Sequence, residues 1–123
     1  MIILPAANLP AALAGLRTSP IDDGNLNRLF PGDPDGTVTQ QIAYHIEQEL
    51  VPLADLVLDL HSGGSSLMYV PSALFGTWRR DGSTAAAVAA LKAFGAPISY
   101  VAEESQGGAR TLSSDVETVT RNA

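Results

Sequence analysis

The sequence predicts an α/β fold built on a mixed or mostly parallel, largely buried sheet. Three observations predict it. Short β-prone runs alternate with helical patterns in the order β, long loop, α, β, β, α, β. The run Leu56–Leu60 is apolar except at Asp59, the pattern of a strand covered on both faces. The first long helical pattern carries its large apolar residues in one stripe, as a helix laid on a sheet does. With 123 residues, 46% hydrophobic and 16% charged, the chain reads as one globular domain over residues 1–123. Its size allows roughly two thirds of the unfolded surface to be buried.

The elements follow in order. Met1–Leu4 reads as a short buried strand. Pro5 to Gly15 is a loop holding a short Ala-rich helical turn that starts at Asn8-Leu9-Pro10 and closes at Gly15. Residues 17–34 have almost no periodicity and are rich in Pro, Gly and polar groups, which marks a functional loop. Thr37-Val38-Thr39-Gln40 is a capping-box pattern and opens a helix to about Val51. Val38, Ile42, Ile46 and Leu50 form its apolar stripe, with His45 beside it as a surface histidine. Leu56–Leu60 is the central strand and runs into a Gly/Ser loop, Ser62–Ser66. Leu67–Val70 is a further strand, and residues 71–82 are an exposed connection that includes Trp78-Arg79-Arg80. Ser83 caps an Ala-rich helix to Phe94, ended by Gly95, and residues 97–102 form the last strand. Residues 103–108 are polar loop. Met1 enters a strand pattern at once, and the β-prone run Ser113–Thr120 stops short, so both ends look cut and the chain reads as part of a longer protein.

The totals exclude several function classes. Seven Lys+Arg against 13 Asp+Glu give a net charge of −6, which disfavours a nucleic acid or an anionic membrane as partner. The absence of cysteine removes disulfides and thiolate metal sites. No apolar run approaches the ~20 residues of a membrane span, and no signal-peptide pattern is seen. The expected location is the cytoplasm.

Two polar clusters remain. His61 ends the central strand, at the edge of a sheet where ligand sites gather. A histidine there serves as a metal ligand or a general base, or as a hydrogen-bonded strand end. Asp59, two residues earlier, lies on the same side of a strand and is placed to orient the imidazole. In the long loop, Asn27-Arg28 offers a set of N–H donors suited to a carboxylate or an oxyanion. The plainer alternative is that Arg28 pairs with Asp22 or Asp23 to hold the loop. One helix and one strand separate the two clusters, so a return of the chain over the helix can bring them to the same end of the sheet. Ser62 or Ser65 with His61 suggests a serine hydrolase, but the sharp nucleophile elbow is missing.

The run Asp23-Gly24-Asn25-Leu26-Asn27-Arg28-Leu29-Phe30-Pro31-Gly32, followed by Asp59-Leu60-His61-Ser62, resembles the succinylglutamate desuccinylase/aspartoacylase family. These are zinc-dependent N-acyl amino acid hydrolases of the zinc-carboxypeptidase fold. Arg17-Thr18-Ser19-Pro20-Ile21-Asp22 and Leu60-His61-Ser62-Gly63-Gly64 look most like the branch that deacetylates N-acetyl-diaminobutyrate. The resemblance implies a three-layer αβα fold with a mixed sheet, here incomplete. It implies His61 as the third zinc ligand, Asn27 and Arg28 as the pair that binds the substrate carboxylate, and Arg17 as a further arginine on the acyl carbonyl. It implies zinc as cofactor and a small N-acyl amino acid as partner; a homo-oligomer is compatible with it. The chain also departs from the family pattern. The first two zinc ligands of the family come from a His-x-x-Glu motif, which is absent: the only histidines are His45 and His61. Glu103, Glu104 and Glu117 are the only late glutamates, and none stands in the Glu-Leu-Gly context of the family's catalytic base. The chain alone is therefore expected to be inactive, as the central part of a hydrolase domain. A non-catalytic carboxylate-binding or assembly module of the same fold is the alternative.

Overall fold

The computed structural model describes residues 1–61, 66–76 and 84–102. They fall into two compact units, residues 1–58 and residues 59–102, and each is described by itself.

In the first unit, helix α1 (Leu9–Ala14) starts where Asn8 Oδ1 accepts the Ala11 N–H at 3.3 Å. It ends at Gly15, whose φ of 65° lets its N–H turn back to the last carbonyls. Residues 17–34 are irregular except for a 3₁₀ turn at Leu26–Arg28. Helix α2 (Val38–His45) is opened by the expected capping box: Thr37 Oγ1 accepts the Gln40 N–H, and Gln40 Oε1 accepts the Thr37 N–H at 2.8 Å. The helical path continues as a π turn (Ile46–Leu50) and a 3₁₀ turn (Val51–Leu53), so it reaches Val51 as expected, but not as α-helix throughout.

The core of this unit is Phe30, Ala43, Ile46 and Val51, with Leu26, Leu29, Ile42, Leu50 and Val57 packed around it. The long loop thus supplies apolar anchors of its own. The buried residues of α2 and its π turn are Thr39, Ala43, Ile46 and Glu47; of the expected stripe, Ile46 is in the core, Ile42 and Leu50 pack against it, and Val38 is exposed. Thr39 and Ala43 are small, so the loop backbone approaches the helix on their side. Val38, Ile42, Ile46 and Leu50 also line an open groove of about 400 Å³ together with Leu4, Ala6 and Ala7. His45 is exposed at its edge, as expected.

Two expected strands are not formed. Met1–Leu4 and Leu56–Leu60 are without regular structure, and Leu56, Leu58 and Leu60 are 60%, 61% and 76% exposed. An apolar run becomes a strand only when its N–H and C=O groups meet a neighbour's, and these runs have no ladder partner among the described residues.

The second unit contains a βαβ crossover. Strands β1 (Ser72–Gly76) and β2 (Ile98–Ala102) pair in parallel, from Ser72 opposite Ile98 to Gly76 opposite Ala102. Helix α3 (Thr84–Phe94) connects them and ends at Gly95, with φ 71°. The helix and the last strand stand where the sequence placed them. The middle strand does not: Leu67–Val70 is exposed and irregular, and the strand lies at Ser72–Gly76, in the stretch read as an exposed connection. Ser72, Ala73 and Gly76 carry little β signal, so pairing with β2 selects this segment. Ala73 is buried while Leu74 is 49% exposed, the alternation of a pleat. The Ser62–Ser65 loop, Trp78-Arg79-Arg80, Ser83 and all expectations beyond Ala102 lie outside the described residues. Among the described residues, no helix is long and apolar enough to cross a membrane.

Candidate functional site

Asn27 and Arg28 sit on the 3₁₀ turn, where the Arg28 N–H donates to the Asn25 carbonyl at 2.9 Å. The turn is held from three sides. Behind it, Leu26, Leu29 and Phe30 enter the core. After it, Gly32 passes close to α2: with φ 84°, an added Cβ would run into the Tyr44 backbone. The Asp33 N–H donates to the Gln40 carbonyl at 3.2 Å.

Before it stands Asp22. Its Oδ2 accepts the Thr39 N–H at 2.7 Å, and its Oδ1 accepts the Thr39 hydroxyl at 2.7 Å and the Gly24 N–H at 3.1 Å. Thr39 is the second residue of α2, so the carboxylate meets the positive end of the helix and one of its unpaired donors. The Thr39 N–H, then its hydroxyl, then the Gly24 N–H hold the Asp22 carboxyl well below the usual carboxylate range. Gly24 makes the approach feasible: a Cβ there would lie 2.6 Å from Thr39 Cβ.

Arg28 is exposed, and its Nη1–H donates to the Asn27 carbonyl at 2.6 Å. Asp22 is engaged with Thr39 instead, so the alternative in which Asp22 holds Arg28 is not what the loop does. The Asn27 Oδ1 atom is buried and has no hydrogen-bond partner among the described residues. Arg17 is exposed in the loop after α1.

In the second unit, His61 Nε2 lies 2.9 Å from Asp59 Oδ2. A carboxylate only accepts, so Nε2–H is the donor, which in a neutral imidazole leaves the lone pair on Nδ1. The contact expected from the two-residue spacing is made, although the segment is not a strand. His61 fits one position in a zinc site through Nδ1. The wider donor set does not complete one: among the described residues, no three His, Cys, Asp or Glu side chains converge, and a catalytic zinc takes three protein ligands. The two pairs, Asn27-Arg28 and Asp59-His61, belong to different units.

Sequence reading missed the Asp22–Thr39 pair, 17 residues apart. The one signal available was an acidic residue in an irregular loop upstream of a capping box.

Residues 1–121 match the model of the succinylglutamate desuccinylase/aspartoacylase catalytic domain. The N-alpha-acetyl-L-2,4-diaminobutyric acid deacetylase of Halomonas elongata is 50% identical over 101 residues, covering 82% of this chain and 30% of that protein. The crystal structure of a succinylglutamate desuccinylase from Silicibacter sp. TM1040 superposes with a TM-score of 0.87 at 45% identity, covering 96% of this chain and 36% of that one. The product-bound ectoine utilization protein EutE (DoeB) of Ruegeria pomeroyi gives 0.85 at 49% identity, covering 94% and 35%. The chain therefore spans about a third of the length of these relatives. Its fold is the α/β fold of those structures in incomplete form, as the sequence predicts. Matched over nearly every residue by the catalytic-domain model, the chain belongs to the succinylglutamate desuccinylase/aspartoacylase family.

Proposed function

We propose that this chain supplies the substrate-carboxylate pocket of an enzyme that hydrolyses N-acyl amino acids, with N-acetyl-2,4-diaminobutyrate as the best candidate substrate. The observation that carries this is the anchored turn bearing Asn27 and Arg28, in a chain 50% identical to a diaminobutyrate deacetylase. Arg28 is exposed and uses one N–H within the turn, which leaves a guanidinium fork for the two oxygens of a carboxylate. Asn27 presents an amide beside it. Arg17 is assigned to the acyl carbonyl. Asp59 orients His61 by accepting from Nε2, and His61 keeps Nδ1 for a metal. In the family, zinc would polarise the acyl carbonyl and acidify water. Among the described residues, His61 is the one side chain matched to that metal.

Titrating the isotope-labelled chain with N-acetyl-2,4-diaminobutyrate should shift the Asn27 signals, and Arg28→Ala should abolish those shifts. Shifts that survive Arg28→Ala would refute the assignment. The sequence holds no His-x-x-Glu motif, which favours a second reading for this chain, a carboxylate-binding module without hydrolysis. Amine release from the same ligand separates the two.

A further inference from the structure

We propose that Asp22 is a positioning residue for Asn27 and Arg28: its carboxylate clamps the start of the substrate loop to the first turn of α2 and thereby sets where the carboxylate-binding pair stands. This rests on the reading of that pair as the binder of the substrate carboxylate. Three donors converge on the two Asp22 oxygens, the Thr39 N–H, the Thr39 hydroxyl and the Gly24 N–H. The loop is shaped to deliver them. The Ser19 N–H donates to the Gly24 carbonyl, and the Asp23 N–H to the Ser19 carbonyl, both at 2.9 Å. Asp23 adopts φ 55°, a left-handed conformation that Asp tolerates better than most residues. Ser19 and Thr39 are both fully buried. This knot ends at Gly24, and the turn that carries Asn27 and Arg28 begins two residues later.

The second anchor grips the same helix through Asp33 at the Gln40 carbonyl in its first turn, and further along through Gly32 at Tyr44 and Phe30 at Ala43. The pair is therefore suspended between two fixed points on α2, like a strap. Releasing either point lets the turn swing without removing any atom of the pair. Asparagine in place of Asp22 keeps the size but replaces one oxygen with an NH₂ group, which cannot accept from a donor already aimed at it.

The test uses the full 123-residue chain with Asp22→Asn, Thr39→Val and Thr39→Ser. Hydrogen exchange at the Arg28 and Gly32 amides should quicken by about tenfold in Asp22→Asn, the loss of about one charge-assisted hydrogen bond. The Ala43 and Ile46 amides of the helix should keep their protection. Affinity for N-acetyl-2,4-diaminobutyrate should fall by a similar factor, and Arg28→Ala should then cost less in the Asp22→Asn background than in the parent. Thr39→Ser, which keeps the hydroxyl, should behave as the parent does, and Thr39→Val should reproduce the loop effect. It also carries the comparison if Asp22→Asn does not fold. Unchanged exchange at Arg28 and Gly32, or an equal rise at Ala43 and Ile46, would overturn the assignment. If the parent binds no N-acyl amino acid at all, the carboxylate-pocket function fails, while the exchange comparison still decides the role of Asp22 in placing the turn.

Discussion

Phe30→Ala probes the link between core and site most directly. Phe30 stands two residues after Arg28 and is only 6% exposed, packed in a cluster with Ala43, Ile46 and Val51. Truncating a buried phenylalanine costs about 3–5 kcal/mol, part from lost transfer energy and part from the cavity left behind. Because Phe30 is so little exposed, nearly the whole of that cost applies. The cavity has little means of collapsing, since Ala43 beside it is small and fully buried. A domain of this size has about 5–15 kcal/mol of stability in total, so the loss is a large share of it. Urea unfolding, read through hydrogen exchange at the Ala43 and Ile46 amides, measures the loss in that unit. Phe30→Leu, which keeps most of the buried apolar area, should cost clearly less. A drop below about 1 kcal/mol in Phe30→Ala, with the urea slope unchanged, would show that the loop is not held by its own apolar anchors.

Other perturbations have equally definite outcomes. Gly32→Ala should lower stability by at least about 1–3 kcal/mol in thermal unfolding, because the residue is left-handed and its new Cβ meets the Tyr44 backbone. Thr37→Ala should cost about 1 kcal/mol in the same assay by removing one half of the capping box. The lowered Asp22 pKa implies an acid limb: the stability it confers is complete above its unfolded value near 4 and is lost as pH falls toward the lower folded value. Urea midpoints followed down to about pH 2 should show that decline in the parent, and a shallower one in Asp22→Asn. Equilibrium dialysis should find no stoichiometric zinc on the 123-residue chain, since tight sites need several preorganised ligands and the sequence contains two histidines and no cysteine. One tightly held zinc per chain would refute that count.

The sequence by itself determined the local chemistry of this protein. Asn8 and Gly15 bound α1, the Thr37–Gln40 box opens α2, and the Ala-rich run ending at Gly95 forms α3, because each signal acts within one helical turn of its own residues. The Asp59–His61 contact is likewise local, two residues apart. The family was legible as well, because the Asn27-Arg28 and His61 motifs are contiguous text. Tertiary structure decided the rest. Leu56–Leu60 has the composition of a strand and lacks a ladder partner, while Ser72–Gly76 has weak composition and is a strand because β2 lies beside it. The buried face of α2 follows Thr39 and Ala43, whose value is their small size against a backbone that hydropathy does not register. Asp22 shows the same limit: two of its three donors belong to Thr39, 17 residues away on α2, and only the folded path brings Thr39 to it. Side-chain type is a property of one position, whereas pairing, burial and close approach belong to two segments that must first meet.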